Sequence, residues 1–329
     1  MTVRMYSSLD AGAPILTGQN FQRLRQLLGA CLVTGYGAKV GAGWTLAHES
    51  VDGLGFSFSN GMGVVAFVAS TAAANRSEIY IMETVTDGAT ALPSGYNRRS
   101  GPWFDGQSTT ERCGVWLGGL SGLNPHWFAV ADENTFTVMF CSGTETADNW
   151  YDTTSAAIYV GAYITPLDDV GFCVVGGNTS GYSPYLGRQG QVGMSLRNPF
   201  TGLVDQGVTP RYTASPARYG RAYNSASLSR VQPSRLTPVR AGLLGWGDGL
   251  SAGTNADRAV VCGYLRGLVS EATLSGAALS QIVGLFGAAN VWQSRVTPVT
   301  LPNSQQWMPL SSWIGDEVFF ISLNQADWE

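Results

Sequence analysis

Few residues in this chain have types and spacings that could do chemistry, and they are far apart. Gly249-Leu250-Ser251-Ala252-Gly253 has the G-x-S-x-G spacing of a nucleophile elbow. There, a strand delivers the serine to a sharp turn, a helix leaves it, and a histidine later in the chain takes its proton. Gly245–Asp248 before the motif and Thr254–Asp257 after it both read as loop, and the only histidines, His48 and His126, lie upstream. The motif therefore reads as a glycine-rich hairpin loop. His126, in Asn124-Pro125-His126-Trp127, enters a strand from a turn and reads as a surface or packed imidazole. His48 stands beside Glu49 and near Asp52, where it could pair with a carboxylate, but the two histidines have no metal-ligand spacing. Two adjacent carboxylate pairs, Asp132/Glu133 and Asp168/Asp169, lie at turns. Glycoside hydrolysis needs two carboxylates about 5–9.5 Å apart, but at turns these residues are expected to make Asx-type hydrogen bonds. Cys31, Cys113, Cys141, Cys173 and Cys262 are scattered, and none forms a CxxC pair. They read as reduced, structural thiols, with Cys141 and Cys173 in apolar strands. No catalytic residue, metal site or cofactor is predicted, and the chain is not read as an enzyme.

Charge is the stronger signal. Lys39 is the sole lysine against eighteen arginines, and Arg188, Arg197, Arg211, Arg218, Arg221, Arg230, Arg235 and Arg240 face only Asp205, a local net of +7. The flanks are acidic, and the whole chain carries −4. A GC-rich genome explains the scarcity of lysine but not the clustering. Charge sorted in this way predicts a contact surface toward other subunits. Tyrosines are interleaved with these arginines, and both types are enriched at interfaces. Nucleic acid is the weaker reading of the stretch, because the chain is acidic overall and holds no recognisable nucleic-acid module.

The elements that would position these residues are mostly strands. Thr17 reads as the N-cap of an amphipathic helix carrying Phe21, Leu24, Leu27, Leu28, Cys31 and Leu32, ended by Gly35-Tyr36-Gly37 and followed by a glycine-rich loop to Thr45. Apolar runs at 64–68, 78–85, 114–117, 127–131, 135–141, 157–164, 170–175, 236–244, 260–269, 296–301 and 317–323 are separated by turn-forming clusters and predict strands. Pro298 confines its run to an edge. Trp127–Ala131, Asp132-Glu133-Asn134 and Thr135–Phe140 predict a β-hairpin, and Ser275–Phe286 a short helix. The expectation is a mainly β chain of antiparallel, sandwich-like sheets with an N-terminal amphipathic helix and one short C-terminal helix. Its parts would be 1–50 (helix and glycine-rich loop), 51–187 (β-rich body), 188–235 (an irregular Arg/Tyr excursion) and 236–329 (a C-terminal β-rich part, in one domain with the body or separate from it). With 44% hydrophobic and only 13% charged residues, against about 25% charged in typical domains, much of the surface is expected to lie against neighbours. No apolar run reaches the ~20 residues of a membrane span, and Met1–Tyr6 has no export pattern.

The strings Asp10–Gly18, Ala30–Lys39 and Gly43-Trp44-Thr45 resemble the opening of virion structural proteins of tailed bacteriophages. Trp127–Phe136 and Val160-Gly161 resemble their middle, while Leu265-Arg266-Gly267-Leu268 fits more loosely. The resemblance implies a structural subunit, foremost of the tail or baseplate, that assembles with copies of itself and other virion proteins in the host cytoplasm, with no membrane insertion. The alternatives are a capsid decoration protein and a receptor- or glycan-binding tail appendage. In the appendage, Trp103, Phe104, Trp150 and Tyr151 would stack on sugars of the host surface.

Overall fold

The computed structural model describes residues 1–71, 75–99, 114–122, 125–141, 156–167, 170–176, 193–204, 211–216, 239–246, 260–271, 298–300, 304–311 and 318–329. Strand β1 (Arg4–Ser7) precedes helix α1 (Asn20–Gly29), which continues as a π-helical turn, Ala30–Thr34. The helix starts two residues later than Thr17 predicted. Gln19 is the N-cap, and the Gln22 Oε1 accepts its N–H at 3.0 Å. Thr17 is instead held through its backbone, which donates to Gln26 Oε1 at 2.9 Å. Phe21, Leu24, Leu27, Leu28, Cys31 and Leu32 are all buried, as their spacing required.

Strands β2 (Thr45–Glu49), β3 (Gly55–Ser59), β4 (Val64–Ala69), β5 (Arg76–Met82) and, beyond the hairpin β6 (Thr84–Asp87) and β7 (Ser94–Tyr96), β8 (Gly114–Trp116) are the next elements. β2, β3, β4, β5 and β8 form a five-stranded antiparallel sheet in that order, and β6–β7 pair separately. The predicted single run 78–85 is thus two strands. At Glu83 the chain leaves one sheet and joins another.

The larger sheet contains β9 (His126–Ala131), β10 (Thr135–Cys141), β11 (Ala156–Ile164), β12 (Val170–Val175), β13 (Gly193–Ser195), β14 (Arg211–Pro216), β15 (Val239–Trp246), β16 (Val260–Glu271), β17 (Val299–Thr300), β18 (Gln306–Ser311) and β19 (Val318–Ser322). Its order is β1-β9-β10-β11-β12-β13-β14-β15-β16-β19-β18-β17. The β9–β10 hairpin stands as predicted, with Phe136 opposite Ala131. Beyond the start of β10, where Thr135 lies opposite Gly161, β16 takes over the same edge of β11 and pairs Leu265 with Tyr163. The sheet therefore curls into a half-barrel. β17 lies at the end of the order, as Pro298 required. Within the predicted excursion 188–235 the described residues include two short strands, β13 and β14, which find partners in β12 and β15. The predicted helix Ser275–Phe286 lies outside the described residues.

Strand alternation explains the layering. Trp127, Ala129 and Ala131 of β9 enter one core with Phe136, Val138 and Phe140 of β10, the buried face of α1, and Phe56, Phe58, Val65 and Phe67 of the smaller sheet. Phe128, Val130 and Met139 point the other way, into a second core with Leu265, Leu268, Met308, Ile321 and Trp328. The middle strands are buried on both faces, so they read in sequence as nearly continuous apolar runs. Each large side chain fully removed from water there stabilises the fold by about 1.5–3 kcal/mol. The fold is mainly β and antiparallel, with one described α-helix.

Candidate functional site

Two polar clusters bring together buried and half-buried ionisable groups, and both include residues of the strings singled out above. In the first, Asp10 Oδ2 accepts from Lys39 Nζ at 2.6 Å, Tyr36 Oη at 2.6 Å and the Ser7 N–H at 2.7 Å. Lys39 Nζ also donates to the Met5 carbonyl at 2.7 Å, and Tyr6 Oη to the Val40 carbonyl at 2.7 Å. The loop after the π-helical turn is thereby clasped to β1. Burial pushes the Tyr36 hydroxyl far above its ordinary value, and its donation to Asp10 raises it further. Burial also pushes up the adjacent Cys31 thiol, helped by the Asp10 charge. The hydroxyl and thiol are thereby held in their protonated forms, and Lys39 is paired with Asp10. The cluster fastens the backbone of β1 to the loop after the π-helical turn.

In the second cluster, Asp132 terminates β9. Its Oδ1 accepts from the Asn134 and Thr135 N–H groups at 2.9 and 2.7 Å, the Asx-type bonding expected of it. Its Oδ2 pairs with Arg266 Nη2 at 2.9 Å, and both side chains are essentially buried, 0% and 5% exposed. Arg266 Nη1 donates to Thr135 Oγ1 at 3.0 Å, its Nε donates to the Trp328 carbonyl, and its backbone N–H donates to Tyr159 Oη at 3.0 Å. Burial raises the Tyr159 hydroxyl, so it too stays a donor, to the Ala162 carbonyl. The network ties the β9–β10 turn to β16 and to the C-terminal segment. Sequence reasoning missed Arg266 as Asp132's partner. Its signal was a lone charge inside the apolar run 260–269.

The other candidates sit apart from these clusters. Arg197 pairs with Glu83 of the same chain at 2.7 Å and remains 56% exposed. Arg211 opens β14 and Arg240 lies in β15. Arg188, Arg218, Arg221, Arg230 and Arg235 lie outside the described residues, as do Trp103, Phe104, Trp150, Tyr151, Asp168, Asp169 and Ser251. His48 is buried with Nε2 3.0 Å from the Thr90 carbonyl, and the carboxylates near it are engaged elsewhere. Glu49 forms a two-point pair with Arg25, at 3.1 and 2.9 Å, and Asp52 accepts from Ser50 Oγ at 2.6 Å. His126 is half-buried, which lowers its pKa. Cys31 and Cys173 are free and buried. Among the described residues, no three His, Cys, Asp or Glu side chains are grouped to hold a metal, and no helix is long and apolar enough to cross a membrane. No family model, curated protein or solved structure matches the chain.

Proposed function

We propose that this chain is a structural subunit of a tailed-phage virion, placed in the tail or baseplate, that works by symmetric association with copies of itself and with other virion proteins. The observation that carries the proposal is what becomes of the string Asp10–Lys39. The polar residues of the string that resembles virion proteins close on one another and lock β1 to the loop after α1. What that string encodes is a fastener, and shared architecture is what a resemblance among structural subunits would preserve. Asp132 and Arg266, from the other resembling strings, form a second fastener.

Symmetry-resolved imaging of purified particles tests the reading. Copies in a ring on the tail support it. Copies spread over the shell replace it with capsid decoration, and absence from particles overturns it. Binding of host polysaccharide by the isolated protein, lost on replacing Trp103 or Trp150, would favour a glycan-binding appendage. Reversing Arg218 and Arg221 to glutamate is expected to weaken incorporation more at low salt than at high salt. Unchanged incorporation would remove the arginine stretch from the interface.

A further inference from the structure

The twelve-stranded sheet ends on β1, and the pairing of β1 shows which of its backbone groups face outward. The Ser8 N–H donates to the Trp127 carbonyl at 2.9 Å, so by alternation Ser8, Tyr6 and Arg4 turn their backbone groups toward β9. Val3, Met5 and Ser7 turn theirs outward, where a further strand would pair. Groups of this same chain stand there instead. Gln325 Oε1 accepts the Val3 N–H at 3.1 Å, and Lys39 Nζ donates to the Met5 carbonyl at 2.7 Å. The Ser7 N–H reaches Asp10 Oδ2 at 2.7 Å and Tyr36 Oη at 3.0 Å, and the Ser7 carbonyl accepts from the Asp10 N–H at 3.0 Å.

Met5 is the middle of that outward row. A second strand laid on β1 would bring an N–H to the Met5 carbonyl at about 2.9 Å, and the Lys39 ammonium already holds that place. Asp10 Oδ2 keeps the ammonium there at 2.6 Å, and Tyr36 Oη holds the same oxygen at 2.6 Å. An antiparallel pair of two β1 strands centred on Met5 would also bring two Lys39 ammoniums to one two-fold axis, where like charges repel. Lysine on an edge strand is a recurrent device against strand-to-strand association. This chain uses lysine, a compact point charge on a flexible stem, only here, where a single carbonyl has to be covered. The end strand of the smaller sheet, β2, is blunted by other means, a bulge between Leu46 and His48 and the Arg25–Glu49 pair.

We infer that Lys39, held by Asp10 and Tyr36, is an edge guard: it keeps β1 from pairing with β1 of a second copy, so the sheet is not continued from one chain into the next. A second copy is the partner excluded because an antiparallel β1–β1 pair lets the two Met5 residues exchange both N–H···O=C bonds across the axis. The role goes beyond fastening. A fastener could grip β1 anywhere, whereas these side chains lie on the outward groups that a strand would need. The inference rests on β1 and the clasp and does not depend on the virion reading.

The test follows exchange of the Met5 amide hydrogen in the whole chain at micromolar and at millimolar protein, with sedimentation velocity on the same samples. Asp10→Ala combined with Lys39→Met removes both charges together. At the higher concentration it is expected to slow Met5 exchange about tenfold, because a paired amide must open before it exchanges, and to show a dimer. Wild type and Lys39→Arg, which keep a cation on the carbonyl, should show no change at Met5. If the double variant fails to fold, Lys39→Met alone uncovers the carbonyl and should slow exchange about threefold. Gly61→Ala, a mild change in the β3–β4 turn with open space around it, should leave Met5 unaffected, which separates uncovering the edge from general loss of stability. No concentration dependence at Met5 in the variants that lose Lys39 overturns the inference and leaves the lysine a fastener only. Equal dependence in wild type or in Gly61→Ala overturns it as well, and so does a dimer that forms with Met5 exchange unchanged.

Discussion

Replacing Arg266 by methionine keeps most of the side-chain volume and removes the charge that Asp132 faces. The carboxylate retains its two backbone donors but loses Nη2 at 2.9 Å, and Thr135 Oγ1 and the Trp328 carbonyl lose their donors. Breaking a buried pair from one side costs about 3–5 kcal/mol, because the remaining charge stays buried. At about 2.1 cal/mol/K per residue, unfolding 329 residues carries an entropy of about 0.7 kcal/mol/K. The midpoint of thermal unfolding should therefore fall by about 4–7 °C. Asp132→Asn should cost a comparable amount, since its amide would turn a donor toward the guanidinium. The double variant removes both charges and should be more stable than the sum of the single losses predicts, by more than about 1 kcal/mol. Calorimetry on the four proteins completes the cycle. Strictly additive losses, or a shift under about 1 °C for Arg266→Met, would refute the assignment of this pair as the internal fastener.

At the clasp, Tyr36→Phe should destabilise by about 1.5–3 kcal/mol, because it removes a short hydrogen bond to a charged acceptor. Lys39→Met should cost under about 1 kcal/mol, because that ion pair is 36% exposed on the lysine side; denaturant titrations that reverse this order would contradict the geometry. Gly267 has φ +66° and its Cβ would lie 2.1 Å from the Trp328 ring, whereas Gly61 has φ +85° with open space around it. Gly61→Ala should cost about 1 kcal/mol from conformation alone, and Gly267→Ala clearly more, so equal melting temperatures would argue against the packing of Trp328. Burial lowers the folded-state pKa of His126 below its ordinary 6.5, so the unfolded chain binds more protons between the two values. Stability should then rise with pH through that window and be lost as pH falls from 6.5 through the folded value. His126→Gln should flatten that segment of the pH profile measured by chemical unfolding.

How far the sequence could be read depended on which features are local. The β9–β10 hairpin was legible because two apolar runs and three turn residues lie within fifteen positions of chain. The strands β2 and β3 were not. A bulge breaks the alternation in Thr45–Glu49, so a period-two search sees no strand there. β13 has only three residues, and it is a strand because β12 and β14 supply partners that no local pattern announces. The same division runs through the polar groups. Asp132 could be read as a turn former because its backbone donors are two and three residues away. Its charge partner is 134 residues away, and Asp10 and Lys39 are separated by 29. Local hydrogen bonding leaves a sequence signature, whereas an ion pair made by closing a sheet leaves only two charges in unlikely places. Arg266 in an apolar strand and Lys39 as the sole lysine were those two signals. Both are engaged by carboxylates and backbone carbonyls of distant segments, Arg266 in a buried network and Lys39 in a partly exposed one, so in this chain a conspicuous charge is evidence of architecture before it is evidence of chemistry.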